Sequence, residues 1–197
     1  MNFHRMKSSM RINVGSAILL SFCLANPLGF AQDEWDKAEK EIRRLNPTEF
    51  IDLPSEIVQE LEQRGCTIPQ VYYSDRLWNA IKGEFARPGQ KDWAVLCSRN
   101  GVSSILVFWG GQTPACRGEI APAEDNIFLQ GIGNGRIGFS RAISPVSKKF
   151  IHSAHKAFGG PEPPLIDHEG INDEFMDKAS VVYYCFKGEW LRLQGSD

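Results

Sequence analysis

Asp92-Trp93-Ala94-Val95-Leu96-Cys97-Ser98-Arg99-Asn100-Gly101-Val102-Ser103-Ser104-Ile105-Leu106-Val107-Phe108-Trp109 consists of two apolar runs around an Asn-Gly pair. Asn and Gly tolerate the positive φ that a two-residue hairpin turn needs, so the pair predicts a tight β-hairpin. Both runs are apolar on both faces, which places this hairpin at the centre of a sheet.

The same layout recurs twice downstream. Asn134-Gly135 separates Ile127-Phe128-Leu129 from Ile137-Gly138-Phe139, and Lys187-Gly188 separates Val181-Val182-Tyr183-Tyr184 from Trp190-Leu191. Helical spacing appears between and before these hairpins. Trp35, Ala38, Ile42 and Leu45 predict a surface helix over 33–45 that Asn46-Pro47 ends. Ile57, Val58 and Leu61 predict a second helix from Pro54 to Arg64, with Gly65 placed to cap it. Val146, Phe150, Ile151, Ala154 and Phe158 predict a third, stopped by Gly159-Gly160, after which Pro161 to Pro164 make a loop. The expected class is α+β: a mainly antiparallel sheet of hairpins packed by two or three helices.

The N-terminus has the layout of a secretory signal. Arg5, Lys7 and Arg11 precede an apolar run from Val14 to Ala25, and small residues at Gly29 and Ala31 suit a cut after Ala31. That run is shorter than the roughly 20 residues of a membrane span, so no transmembrane segment is expected in the mature chain. Lipid attachment at Cys23 is disfavoured by the bulky Phe22 before it. The expected organisation is residues 1–31 as signal peptide and 32–197 as one exported domain, periplasmic or secreted. Losing the leader takes the formal net charge from −2 to −5, which argues against nucleic acid as a partner.

Cys66, Cys97, Cys116 and Cys185 remain, an even number in a chain bound for an oxidising compartment, and their spacings match no zinc cluster. Two disulfides are expected. Four cysteines allow three connectivities, of which Cys66 to Cys97 with Cys116 to Cys185 is preferred.

Motifs with chemical meaning are sparse. Gly133, Gly135 and Gly138 have the GxGxxG spacing, but a strand-like segment follows where a dinucleotide site needs a helix. Ser153-Ala154-His155-Lys156 has Ser-x-x-Lys spacing without the companion motifs of the serine enzymes that use it. His152 and His155 lie one helical turn apart, and Asp167-His168-Glu169 adds nitrogen and oxygen donors. His152, His155 and His168 are therefore the candidate metal ligands. His168 with Asp167 or Glu169 is the candidate catalytic set, because a carboxylate can orient an imidazole that titrates near working pH. Most aromatic residues fall inside apolar runs and read as core, while Tyr72, Tyr73 and Trp78 are candidates for an exposed sugar-binding platform.

The stretch Gly83-Glu84-Phe85-Ala86-Arg87-Pro88-Gly89-Gln90-Lys91-Asp92-Trp93-Ala94-Val95, with the strand running on to Trp109, resembles one unit of the FG-GAP or VCBS repeats of exported proteins. That resemblance implies a blade-like hairpin with an acidic calcium loop. Glu84 and Asp92 match the motif in character, whereas Ala86 and Pro88 replace two oxygen donors, so no cofactor is expected. The unit occurs once, which implies no propeller. The whole chain also resembles small exported bacterial proteins with a Gly-Glu-Phe and Asp-Trp-Ala-Val core, a likeness that implies no activity. The leading expectation is a binding or interaction module for a protein, small-molecule or carbohydrate ligand. The alternative is a metal-dependent or His-based hydrolase centred on His152, His155 and His168.

Overall fold

A computed structural model describes residues 27–73 and 75–196; most of the expected signal peptide lies outside them. The chain runs α1 (Pro27–Lys40), β1 (Arg44–Leu45), α2 (Ser55–Gln63), β2 (Ile68–Pro69), β3 (Ala80–Gly83), β4 (Asp92–Arg99), β5 (Val102–Phe108), β6 (Glu119–Glu124), β7 (Leu129–Gly131) and β8 (Ile137–Phe139). It continues through β9 (Arg141–Val146), α3 (Lys148–Phe158), β10 (Gly170–Phe175), β11 (Ala179–Phe186) and β12 (Glu189–Gln194). All pairings are antiparallel, so the fold is α+β and dominated by sheet.

Two four-stranded meanders, β3-β4-β5-β6 and β9-β10-β11-β12, carry the architecture. The turns read from the sequence set their registers. Asn100 and Gly101 have φ of 52° and 78°, Lys187 and Gly188 have 52° and 88°, and each pair closes its hairpin in two residues. Strands β4 and β5 are the two central strands of their sheet, as their two-faced burial requires.

Alternation along the strands then sorts side chains into layers. Ala94, Leu96, Ile105 and Val107 face Ile143, Ile171 and Tyr183 across the space between the meanders. The opposite face of the first meander, with Val95, Cys97 and Leu106, packs on Ile57 and Leu61 of α2. The opposite face of the second, with Val146, Val182, Tyr184 and Leu193, packs on Ile151 of α3. The order is helix, sheet, sheet, helix, and Ala38 of α1 and Ile42 just beyond its end join the central layer.

Helix ends follow local chemistry. Gly65, at φ 68°, ends α2: its amide donates to Glu62, and the Cys66 amide donates to Leu61. That turn delivers Cys66 to Cys97, while Cys116 is bonded to Cys185, which is the preferred pairing. Three boundaries differ from the sequence reading. The first helix covers Pro27–Lys40 rather than 33–45, because Arg44 and Leu45 pair with β2 instead, and it runs through the expected cut site at Ala31. Ile127 and Phe128 lie in a 3-10 turn before β7. Val146 closes β9, and Ser147 caps α3 by accepting the Phe150 amide.

The two sheets are also fastened by polar groups. Arg141 of β9 is 1% exposed. Its guanidinium donates to both Asp173 oxygens (2.9 and 2.8 Å), to the carbonyl and hydroxyl of Ser103 on β5 (2.9 Å each) and to the carbonyl of Ala121 on β6 (2.7 Å). Buried Asn79, at φ 72°, accepts from the Ile143 amide and donates to the carbonyls of Pro69 and Arg141, so it substitutes for a neighbouring strand along β9. Replacing Arg141 by Met leaves the largely buried Asp173 carboxylate and the Ser103 and Ala121 carbonyls without their donor, and a loss of about 3 kcal/mol is expected in urea unfolding. Adding Asp173→Leu is expected to restore part of it; a single variant that melts like the parent removes the pair from this role.

Candidate functional site

The residues nominated by the sequence are distributed over the surface and the scaffold. His152 is exposed on α3. His155 takes Glu162 at 2.9 Å on Nε2 and faces the Gly159 carbonyl at 3.2 Å on Nδ1, tying the end of α3 to the Pro-rich loop. Ser153 and Lys156 are exposed on the same helix. Gly133, Asn134 and Gly135, all at positive φ, turn the chain between β7 and β8. Among the described residues, no three His, Cys, Asp or Glu side chains converge as a metal would require.

His168 is buried, and its environment is already filled. Nδ1 faces the Glu169 carbonyl at 2.9 Å, Nε2 faces the Cys185 carbonyl at 3.0 Å, and the ring stacks on Tyr184 with centroids 4.2 Å apart. Both nitrogens point at backbone carbonyls inside the scaffold, so neither is directed at open space where a substrate or metal could reach it. Asp167 receives the Tyr184 hydroxyl on Oδ1 at 3.0 Å, and burial is the main cause that raises the Tyr184 phenol above its ordinary value. Glu169 accepts the Glu84 amide at 2.8 Å, while its own amide donates to the Glu84 carbonyl. The triplet thus fastens the entry of β10 to the end of β3 and to β11.

The acidic loop between β3 and β4 is closed by the protein's own donors. Asp92, fully buried, accepts the amides of Phe85, Ala86 and Gly110 (2.9–3.0 Å) and the Gln90 side chain at 2.7 Å. Gly110 is required there, since a Cβ would lie 2.1 Å from the Lys91 carbonyl oxygen. Glu84 accepts from Lys91 at 2.5 Å and from the Gly89 amide. The Lys91 bond, then the amide, holds its carboxyl below the ordinary carboxylate value. The oxygens that correspond in character to a calcium loop are occupied by amides and an ammonium.

Tyr72, Tyr73 and Trp78 form edge-to-face contacts at 5.0 and 6.2 Å, with the Arg76 guanidinium stacked 3.6 Å above Trp78. Tyr73 is exposed and Trp78 only partly so. The guanidinium occupies the ring face a sugar would use.

A groove of about 570 Å³ opens between β6 and the inner face of the second meander. Period-two alternation brings its residues together: Arg141, Asp173, Tyr183, Trp190 and Arg192 share one face, with Tyr183 directly opposite Arg192 and Trp190 opposite Cys185. β6 opens the groove because Ala121 adopts φ 54°, the register shifts between Ser103 and Ile105, and the Ala121 carbonyl turns inward to Arg141. Burial, reinforced by Asp173, raises the Tyr183 phenol above its ordinary value, while Arg192 and Arg141 oppose the shift. Neither Arg117 nor Arg192, both exposed, has a carboxylate partner among the described residues. Sequence reading took Trp190 for strand core. Its alternation with Arg192 was visible, but the approach of β6 and β9 was not.

Comparison with protein-family models, curated proteins and solved structures finds no match to this chain. The geometry therefore carries the functional reading. His168→Ala removes a buried ring that faces two backbone carbonyls and stacks on Tyr184, and a loss of about 2–3 kcal/mol is expected in denaturant melts. His152→Ala and His155→Ala are expected to stay within about 0.5 kcal/mol of the parent, and zinc or a chelator to leave all melting midpoints unmoved. A zinc-dependent rise that vanishes in either the His152 or the His155 variant contradicts this assignment.

Proposed function

We propose that this chain is an exported ligand-binding module whose site is the groove between β6 and the second meander. One observation carries the reading: His168 and Glu169 are engaged by the scaffold and the histidines do not converge, while the groove sets Arg117 and Arg192, neither with a carboxylate partner among the described residues, beside aromatic rings. A binding site needs a preformed concave surface with a few fixed polar groups, and this groove meets that description. A hydrolase needs a base with a free lone pair within reach of its substrate, and His168 offers none.

Two disulfides suit an oxidising compartment, and no helix among the described residues is long and apolar enough to cross a membrane. The disulfides support export, and the leader's sequence supports trimming after Ala31. Intact mass of the protein recovered from the cell envelope is the direct check, with Gln32 expected as the first residue.

The functional test is thermal melting of the exported chain against a panel of small sugars, carboxylates and short peptides. A ligand at a hundred times its Kd stabilises by about 2.7 kcal/mol, a clear rise in midpoint. At least one class is expected to produce that rise, and to lose it in the Arg117→Gln, Arg192→Gln double variant. Steady turnover of an ester or amide, abolished by Asp167→Asn or His168→Gln, transfers the assignment to the hydrolase.

A further inference from the structure

We infer that the groove takes a carboxylate-bearing saccharide, an acidic sugar of the hexuronate type; this rests on the binding-module reading above. The groove is lined by three guanidinium groups, Arg117, Arg141 and Arg192, against the single carboxylate of Asp173, in a chain whose overall charge is −2. The clefts of about 820 and 870 Å³ each carry three basic and three acidic residues, and one of about 580 Å³ carries three basic against two acidic, so the excess is greatest at this groove. Arg141 and Asp173 neutralise one another at the floor, leaving Arg117 and Arg192 at the rim as the cations an incoming anion meets. Arg binds carboxylate in a planar, two-pronged manner that suits such a ligand.

The position of Arg117 is built into the fold. The Trp190 indole donates to the Arg117 carbonyl at 2.8 Å and the Trp109 indole donates to the Cys116 carbonyl at 3.1 Å. The two indoles stack with centroids 5.8 Å apart, and Cys116 is anchored to Cys185. Three constraints thus hold the backbone of one exposed arginine that has no carboxylate partner among the described residues. Arg192 is fixed on β12 opposite Tyr183, whose hydroxyl is the neutral polar group of the wall. Trp190, Phe128 and Phe175 line the groove; Trp109 covers one face of Trp190, Arg141 one face of Phe128 and Lys178 one face of Phe175, so their edges and opposite faces form the apolar wall against which the C–H groups of a pyranose pack.

The edge of the groove argues against an extended acidic peptide. Strand addition needs a regular row of amides and carbonyls, but Pro122 has no N–H, and the Ala121 carbonyl is turned inward to Arg141. A compact ring ligand does not need that row.

The test is isothermal titration of the exported chain with trigalacturonate, neutral trigalactose and hexaglutamate. Trigalacturonate is expected to bind at least about tenfold tighter than either comparator, and to weaken several-fold between low and high sodium chloride. Arg192→Gln and Arg117→Gln are each expected to lose about tenfold in affinity, with circular dichroism and melting midpoint unchanged. Equal binding of the neutral sugar, tighter binding of hexaglutamate, indifference to both arginine variants, or no binding of trigalacturonate overturns the saccharide assignment. If another compound of the panel then stabilises the chain through the same arginines, the binding-module reading stands without it. If no compound does, both fall.

Discussion

The guanidinium of Arg141 is the constraint around which the two sheets are arranged. Apolar contact between Leu96, Ile105, Ile143 and Ile171 drives the faces together, but burial alone is non-directional and tolerates sliding of one sheet over the other. A buried cation does not. Its donors need acceptors at fixed positions, and here they come from β5, β6 and β10 at once. Displacing either sheet by a fraction of a residue leaves part of an ion pair unmatched in a low-dielectric interior. Ala121 is held in a left-handed conformation beside the same group, so β6 is bent where the arginine requires a carbonyl.

That bend links stability to function. A regular β6 would lie flat against β5 and close the space above Tyr183 and Trp190; a bulged β6 leaves a groove floored by the buried ion pair. The floor is rigid because every donor on it is satisfied. The rim carries net positive charge because Arg117 and Arg192 are exposed with no carboxylate partner among the described residues. A preorganised base beneath exposed charges lowers the ordering cost of binding.

The candidates drawn from sequence chemistry were real features with other employment. Asp167, His168 and Glu169 sit where the Pro-rich loop enters β10, and each spends its hydrogen-bonding capacity on Tyr184, Cys185 or Glu84. Asp92 likewise replaces a bound ion as the centre of its loop by gathering three backbone amides. Residue type and spacing cannot separate these uses from catalysis or ligation, since the same lone pairs serve both. What separates them is whether a partner is already present.

Local chemistry was legible in the sequence. Asn100-Gly101 and Lys187-Gly188 fix their hairpins because few residue pairs accept two successive positive φ values, and Gly65 stops α2 for the same reason. The apolar runs 93–97 and 103–109 place β4 and β5 at a sheet centre, and four cysteines around those hairpins limit the cross-links to three patterns. Helix ends were less secure: Arg44 and Leu45 continue a helical pattern, yet their pairing with β2 takes them into a strand. The tertiary structure alone decided how the meanders face one another, that Arg141 joins them, and that Arg117, Tyr183, Trp190 and Arg192 meet at one groove. Those contacts join residues 20 to more than 70 positions apart, and at that range hydrophobic period says which face a side chain takes but not which face it meets.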